Sequence, residues 1–216
     1  MFSTVVFDLD GTLLNTIDDL AAAGNHVCRL HGWPEHTVEK FKTMVGHGVK
    51  NLVTKFVPAE VQTPEVLDQA LAECSAYYGA HSMDLTAPYP GIPELLAQLQ
   101  KAGVRMAVYS NKDHPFSVEL MDRFFPGRFT LVQGKKEGIP VKPDPTGIRL
   151  LLGTLEAEGE TTLFVGDSSV DIQTGHNAGL KSCGVTWGFR PEQSLVDAGA
   201  DFLAHDAEEL KQVILN

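Results

Sequence analysis

The sequence predicts an α/β protein: a doubly wound parallel sheet whose first strand is separated from the others by an all-helical insertion. Three observations carry this. A short β-branched run, Thr4-Val5-Val6-Phe7, ends in Asp8-Leu9-Asp10-Gly11, the pattern of a buried strand stopped by a turn glycine. From about residue 16 to 82 the texture is helix after helix. Beyond Ala87-Pro88-Tyr89-Pro90-Gly91, strands and helices alternate with short loops, which argues for parallel strands joined by crossover helices.

The insertion opens at Thr16, a residue type suited to an N-cap, with Ile17, Leu20, Ala21, Val27 and Leu30 recurring near helical spacing. Helices over 35–44, 48–57 and 64–81 follow, set off by Pro34, Gly46, Pro58 and Pro64, with no strand among them. The second part reads as helix 92–102, strand 104–109, helix 115–125, strand 129–132, helix 145–157, strand 161–166, helix 170–178 and strand 180–186, with a last short strand and helix near 201–214. The expected division is therefore 1–14 with 85–216 as the α/β core and 15–84 as the helical insertion. Residues 13–16 and Pro90-Gly91 are expected to form the two crossings of a hinge.

A chain of 216 residues, 43% hydrophobic, buries enough surface to fold without a disulfide or structural metal. Its 17 basic residues against 28 acidic ones give a net charge of −11, which lacks the basic footprint of a nucleic-acid or anionic-membrane binder. Cys28, Cys74 and Cys183 stand far apart in no ligand spacing and read as free core thiols of a reducing compartment. No run approaches a membrane span and the first residues are acidic rather than basic, so a cytoplasmic location is expected. A monomer is the unforced expectation.

Ligands of open parallel sheets bind at the carboxyl ends of the strands, and the polar residues expected there form a coherent set. The first strand ends in Asp8 and Asp10, the next in Ser110-Asn111, and a later one in Gly166-Asp167-Ser168-Ser169 with Asp171 just beyond; Lys142-Pro143-Asp144-Pro145 precedes the helix leading into it. Two aspartates two apart point the same way on an extended strand, whereas a helix separates them by about 200°. Several carboxylates this close repel one another unless a cation is shared among them or some stay protonated. Oxygen donors without histidine or cysteine point to Mg²⁺. Such an ion beside a lysine, a hydroxyl and backbone N–H groups at a strand-to-helix turn suits a phosphoryl group.

Asp8-Leu9-Asp10-Gly11-Thr12-Leu13-Leu14 resembles the DxDGT(L/V) signature of the haloacid dehalogenase superfamily, and three further motifs match in the family's order across the chain. The resemblance implies a Rossmann-like core with a helical cap of the C1 class. It implies that Asp8 is the nucleophile that receives the phosphoryl group, and that Asp10 is the general acid and then the general base, its backbone carbonyl a magnesium ligand. Ser110 matches the phosphate-binding hydroxyl, and Asn111 the position whose backbone N–H helps hold the phosphate. Lys142 matches the lysine that neutralises nucleophile and phosphate. Asp167 is implied as a direct magnesium ligand, with Asp171 either ligating through water or supporting the lysine; as a first-turn acid Asp171 also suits the helix dipole.

An acid at position 10 separates phosphatases and phosphomutases from the dehalogenases of the superfamily. In the insertion, Val45-Gly46-His47-Gly48-Val49-Lys50-Asn51-Leu52 is similar to the specificity loop of phosphoglycolate phosphatases, and Thr186-Trp187-Gly188-Phe189-Arg190 has the look of the same subfamily. Gly46, His47 and Lys50 are the substrate contacts this implies, against a plain reading of Gly46 as backbone geometry and His47 as an exposed turn residue. The expected activity is Mg²⁺-dependent hydrolysis of a small phosphorylated metabolite, 2-phosphoglycolate first. A sugar-phosphate phosphatase, a β-phosphoglucomutase-like isomerase and a non-catalytic phosphoryl-binding module remain alternatives. Trp33 and Trp187 read as packing residues, and the remaining histidines lack ligand spacing.

Overall fold

Four residues that are all β-branched or aromatic, and all buried, make β1 (Thr4–Phe7) the centre of a six-stranded parallel sheet. The computed structural model describes residues 1–216 in two units, Met1–Asn15 with Pro88–Asn216, and Thr16–Ala87. Two-residue strands, β2 (Leu14–Asn15) and β3 (Ala87–Pro88), pair with each other. The sheet is completed by β4 (Arg105–Asp113), β5 (Leu131–Lys135), β6 (Thr162–Gly166), β7 (Lys181–Val185) and β8 (Phe202–Ala204), in the order β5-β4-β1-β6-β7-β8. Register is set on both flanks of β1: Thr4 to Phe7 pair with Arg105 to Val108 on one side and with Thr162 to Val165 on the other. The strand order reverses between β4 and β6, so β1 ends at the switch point where open α/β sheets form their crevice.

The two faces follow from the strand alternation. Val6, Ala107, Tyr109 and Phe164 pack with Ile148, Leu151, Leu152 and Leu155, so an apolar stripe of Thr146–Leu155 covers one face. Phe7 points the other way and meets Phe129 edge-on at 6.3 Å. The fold class is thus the α/β, doubly wound parallel arrangement expected from the alternation.

The helical unit contains α1 (Ile17–His31), α2 (Val38–Met44), α3 (Val49–Phe56) and α4 (Pro64–His81). Gly24 of α1 lies against the Phe41 ring, where a methyl group would collide; its bareness lets Phe41 and Phe56 pack on the helix with ring centres 6.3 Å apart. Asp19, 2% exposed, accepts from the backbone N–H groups of Leu85 and Thr86 and from Thr86 Oγ1 at 2.8–3.1 Å, and so ties the unit's last residues to its first helix.

After α4 come α5 (Ile92–Lys101), α6 (His114–Phe124), α7 (Thr146–Leu155), α8 (Ser169–Ala178), α9 (Glu192–Asp197) and α10 (Ala207–Leu215). Several expectations need correction. Thr16 occupies the N-cap position but makes no side-chain capping bond, and Leu30, expected on the apolar face, is 59% exposed in the last turn before the left-handed Gly32. α2 starts only after Thr37, whose side chain accepts from Lys40 N. β4 continues past Tyr109 to Asp113, and β5 lies two or three residues later than its apolar run suggested. α9 is only six residues long, too short for periodicity to reveal. The three cysteines are free and buried, and no helix is long and apolar enough to cross a membrane.

Candidate active site

The carboxyl edge of the central strands gathers the charged residues of the core. β1 stops at Phe7, so Asp8 and Asp10 stand on the turn beyond it rather than on the strand; Asp8 N still donates to Val165 O at 2.8 Å, which fixes the first of them against β6. The turn closes on itself through Gly11 N to Leu14 O, 2.9 Å, and Leu13 N to Leu9 O, 3.0 Å. Gly11, at φ +85°, sits so close to the Asp167 carboxylate that any Cβ there would overlap it. The glycine of DxDGT therefore both makes the turn and leaves the space that Asp167 fills.

Lys142 is the hub. Its side chain is 2% exposed, with Nζ 2.7 Å from Asp171 Oδ1 and 2.8 Å from Asp8 Oδ1. The contact with Asp171 is a full hydrogen bond, whereas Asp8 Oδ1 lies within ion-pair distance but outside hydrogen-bond geometry, leaving it a buried acceptor without a hydrogen-bond donor. Asp171 Oδ2 accepts from Ser168 N at 3.0 Å and Ser168 Oγ at 2.6 Å, so both its oxygens are engaged in orienting the lysine and starting α8. The Asn111 side chain clamps the Lys142 backbone, accepting from Lys142 N at 2.8 Å and donating to Lys142 O at 3.2 Å. Sequence reasoning valued Asn111 for its backbone; its amide side chain proves to be the piece that joins the end of β4 to the lysine.

Asp167 lies 3% exposed beneath the same edge, and its Oδ2 accepts from Phe189 N at 2.7 Å. Gly188 supplies the second bare backbone against this carboxylate, where a Cβ would again overlap it. Trp187 is more than packing: its indole N–H donates to Thr12 O at 3.0 Å and fastens the 186–190 segment to the DxDGT turn.

Burial raises the Asp8 pKa to about 6, with Lys142 pulling the other way. Burial, and then the charges of Asp171 and Asp8, push Asp167 well above the usual carboxylate range. Lys142 is held above its ordinary value: burial opposes its charge, but Asp171 and Asp8 outweigh that. One oxygen from each of Asp8, Asp167 and Asp171 lies within 4.8 Å of the other two. An all-oxygen cluster of buried carboxylates, one with an orphaned acceptor and two whose charge burial disfavours, fits a hard divalent cation. Since Asp171 is occupied with Lys142 and Ser168, Asp8 and Asp167 are the two best placed to ligate it.

Ser110 is 3% exposed at the same edge, and its Oγ accepts from Lys112 N at 3.3 Å. Lys112, unremarked in the sequence, is 8% exposed, and its ammonium lies 3.0 Å from Asp10 Oδ1 and 3.4 Å from Oδ2. Asp10's side chain thus belongs to a second ion pair, apart from the carboxylate cluster. A cleft of about 520 Å³ opens beside the ends of β4 and β5, between Asp113 and Phe116 and the pair Lys135 and Lys136. In the helical unit, Gly46, His47 and Lys50 are exposed around the start of α3, with Gly48 at φ +84° in the cap position.

This constellation, on this sheet, is that of a phosphoryl-transferring hydrolase, and comparison with known proteins agrees. The family model described as haloacid dehalogenase-like hydrolase matches residues 5–185, so the chain belongs to that family. Within it the chain is a phosphatase, as its relatives are. It is 32% identical to the N-acetylmuramic acid 6-phosphate phosphatase of Pseudomonas aeruginosa, over 97% of this chain and 93% of that one. It is 30% identical to the phosphoglycolate phosphatase of Vibrio cholerae, over 98% of this chain and 96% of that one. The crystal structure of a candidate phosphoglycolate phosphatase from Lactobacillus delbrueckii subsp. bulgaricus superposes with a TM-score of 0.93 at 31% identity, covering 100% of this chain and 99% of that one.

Proposed function

We propose that the protein hydrolyses a small phosphorylated carboxylic acid, 2-phosphoglycolate foremost, with Mg²⁺ as cofactor and through a phosphoryl group carried on Asp8. The observation that supports this most is the separation of the two aspartates of one turn into two environments: Asp8 beside Lys142 in the carboxylate cluster, Asp10 beside Lys112 outside it. A nucleophile and an acid–base catalyst need such a division of labour.

Asp8 attacks phosphorus, forming the acyl-phosphate bond as the ester oxygen departs, and Asp10 gives that oxygen its proton. Water then attacks the same phosphorus, Asp10 takes its proton, and inorganic phosphate leaves with Asp8 restored. Ser110 Oγ and the N–H groups at the end of β4 hold the phosphoryl oxygens, and Lys142 balances the charge of nucleophile and phosphate. Asp8, Asp167 and the Asp10 carbonyl, with Asp171 behind them, would hold Mg²⁺, which would supply the charge neutralisation that brings a carboxylate and a phosphate together. Gly46, His47 and Lys50 of the helical unit serve as substrate contacts. The protein works on a small diffusible metabolite in the cytoplasm, as a monomer.

A second reading, an acidic sugar phosphate, draws on the substrate named for the Pseudomonas aeruginosa relative, to which this chain is 32% identical. Phosphate release from 2-phosphoglycolate, hexose phosphates, N-acetylmuramic acid 6-phosphate and nucleotides, with and without Mg²⁺ and beside Asp8→Asn, tests both. Fast magnesium-dependent release from 2-phosphoglycolate supports the first reading; preference for the sugar esters replaces it with the second. Turnover that survives Asp8→Asn overturns the mechanism.

A further inference from the structure

Lys112 takes no part in the chemistry above, yet it is placed as firmly as any residue that does. β4 runs on to Asp113, so Lys112 is carried into the site by a strand rather than by a loop. Its N–H donates to Ser110 Oγ at 3.3 Å, and its carbonyl accepts from Ser117 Oγ at 3.3 Å, so the backbone is held on both sides. Gly134 of β5 closes over that carbonyl, leaving no room for a side chain. The outcome is a nearly buried ammonium 3.0 Å from the Asp10 carboxylate. The site therefore has two ammonium groups with distinct stations: Lys142 between Asp8 and Asp171, where the phosphoryl group is transferred, and Lys112 at Asp10, where the alcohol departs.

We infer that Lys112 is the specificity-determining residue for the leaving group, its ammonium receiving a carboxylate borne on the same carbon as the ester oxygen. The inference rests on the role proposed for Asp10. An ester oxygen protonated by Asp10 comes within hydrogen-bond distance of that carboxyl group. The carboxyl carbon of a 2-phospho acid lies two bonds further, roughly 2.4 Å away. Its oxygens are then within reach of Nζ, which has three N–H donors to share between Asp10 and the substrate. The flexible four-carbon stem makes the adjustment without moving the strand. A neutral alcohol offers Lys112 nothing, and a carboxylate at the far end of a sugar ring does not reach it. A charge-assisted bond of this kind changes affinity by about 10- to 100-fold.

The test compares kcat/KM on matched esters for the full chain with Mg²⁺: 2-phosphoglycolate against ethyl phosphate, and 2-phosphoglycerate against glycerol 2-phosphate. The wild-type protein prefers the acid of each pair by about 10-fold or more. Lys112→Gln loses that preference, the acid-to-neutral ratio of kcat/KM falling by about 10-fold whatever the change in Asp10 does to both esters alike, and Lys112→Arg, which keeps the charge, keeps the ratio. Equal losses on acid and neutral esters overturn the assignment and leave Lys112 as a support for Asp10. A wild-type protein with no preference in either pair overturns it without recourse to a variant, as does Lys112→Arg behaving as a neutral substitution. Inactivity on 2-phosphoglycolate with a retained, Lys112-dependent preference for 2-phosphoglycerate overturns only the substrate named above.

Discussion

The carboxyl edge of the sheet and the first turn of α3 both carry residues that a sequence reader would assign to the site, but they are built on opposite terms. At the sheet edge the charges are buried: Lys142, Asp167 and Asp171 are 2%, 3% and 0% exposed, and each is held by named donors or acceptors. Around α3, His47 and Lys50 are exposed, and conformation comes from two positive-φ glycines, Gly46 and Gly48. Buried charge is costly, so it persists only where opposite charges and hydrogen bonds offset that cost. An exposed loop can change its residues at little cost to stability. The charges of the sheet edge thus stand where the fold punishes substitution, and the polar residues around α3 where it does not.

The comparison breaks most sharply at Lys142. Replacing it by Met leaves Asp8 and Asp171 facing each other without their shared cation; the expected loss of kcat is about 10³-fold, accompanied by destabilisation of about 3 kcal/mol in metal-free protein. Phosphate-release kinetics and urea unfolding measure the two together. A melting point unchanged by the substitution would show that the network is not a structural unit.

Gly188→Ala probes the same edge without touching a charge. The added methyl group overlaps Asp167 and forces that carboxylate from its place, so the magnesium concentration for half-maximal activity rises by about 10-fold or more. Titration of activity with Mg²⁺ reads this directly, and Gly188→Ala with an unchanged requirement would separate Asp167 from the metal.

A divalent cation at this edge would compete with protons, and the sign follows from the raised pKa values. Asp8 binds its proton more tightly when folded, at about 6, than at the 3.8 of an ordinary aspartate. Its contribution is therefore neutral below the unfolded value. Stability is lost as pH rises between the two values, and the full cost is present above the folded one. Asp167 shifts in the same direction. A divalent cation binds the charged carboxylates and offsets this cost, so Mg²⁺ raises the melting temperature by about 5 °C near pH 8 and by less than half as much near pH 5. Calorimetry at the two pH values decides it. The smallest effect belongs to the other region: Lys50→Ala raises KM about threefold with the melting temperature within about 1 °C, checked by kinetics and thermal unfolding.

What could be read from the sequence follows the same division. The run Thr4 to Phe7, the turn glycine after it, and the acids and lysine standing at strand ends are legible because burial on both sides demands an apolar strand, and a polar residue at its end needs a reason. Lys112 was hidden because Ser110-Asn111-Lys112-Asp113 is polar throughout and reads as the loop after a strand; only the ion pair with Asp10 and the burial of that stretch reveal that β4 continues. The backbone N–H of Phe189 on Asp167 has no signature of its own, since every residue but proline offers that donor. The bareness of Gly188 beside it was the available signal. The side-chain clamp of Asn111 on Lys142 is not legible in the sequence, because it depends on two segments 31 residues apart meeting. Asp19, in the first turn of α1, carries no sign in the sequence of its partners, the N–H groups of Leu85 and Thr86, which lie more than 60 residues away.

The place of β1 in the sheet has a consequence for how the enzyme comes into being. The strand that delivers Asp8 is made before both its neighbours, β4 and β6, which lie about 100 and 160 residues further along the chain. Asp8 is made long before Lys142 and Asp171, and its strand gains its first partner with β4, about half-way along the chain, and its second only with β6. The helical unit, by contrast, is contiguous and can fold as soon as it appears. The assembled carboxylate cluster is therefore a late property of the nascent chain, since Asp167, Asp171 and the Phe189 N–H that holds Asp167 all follow β6.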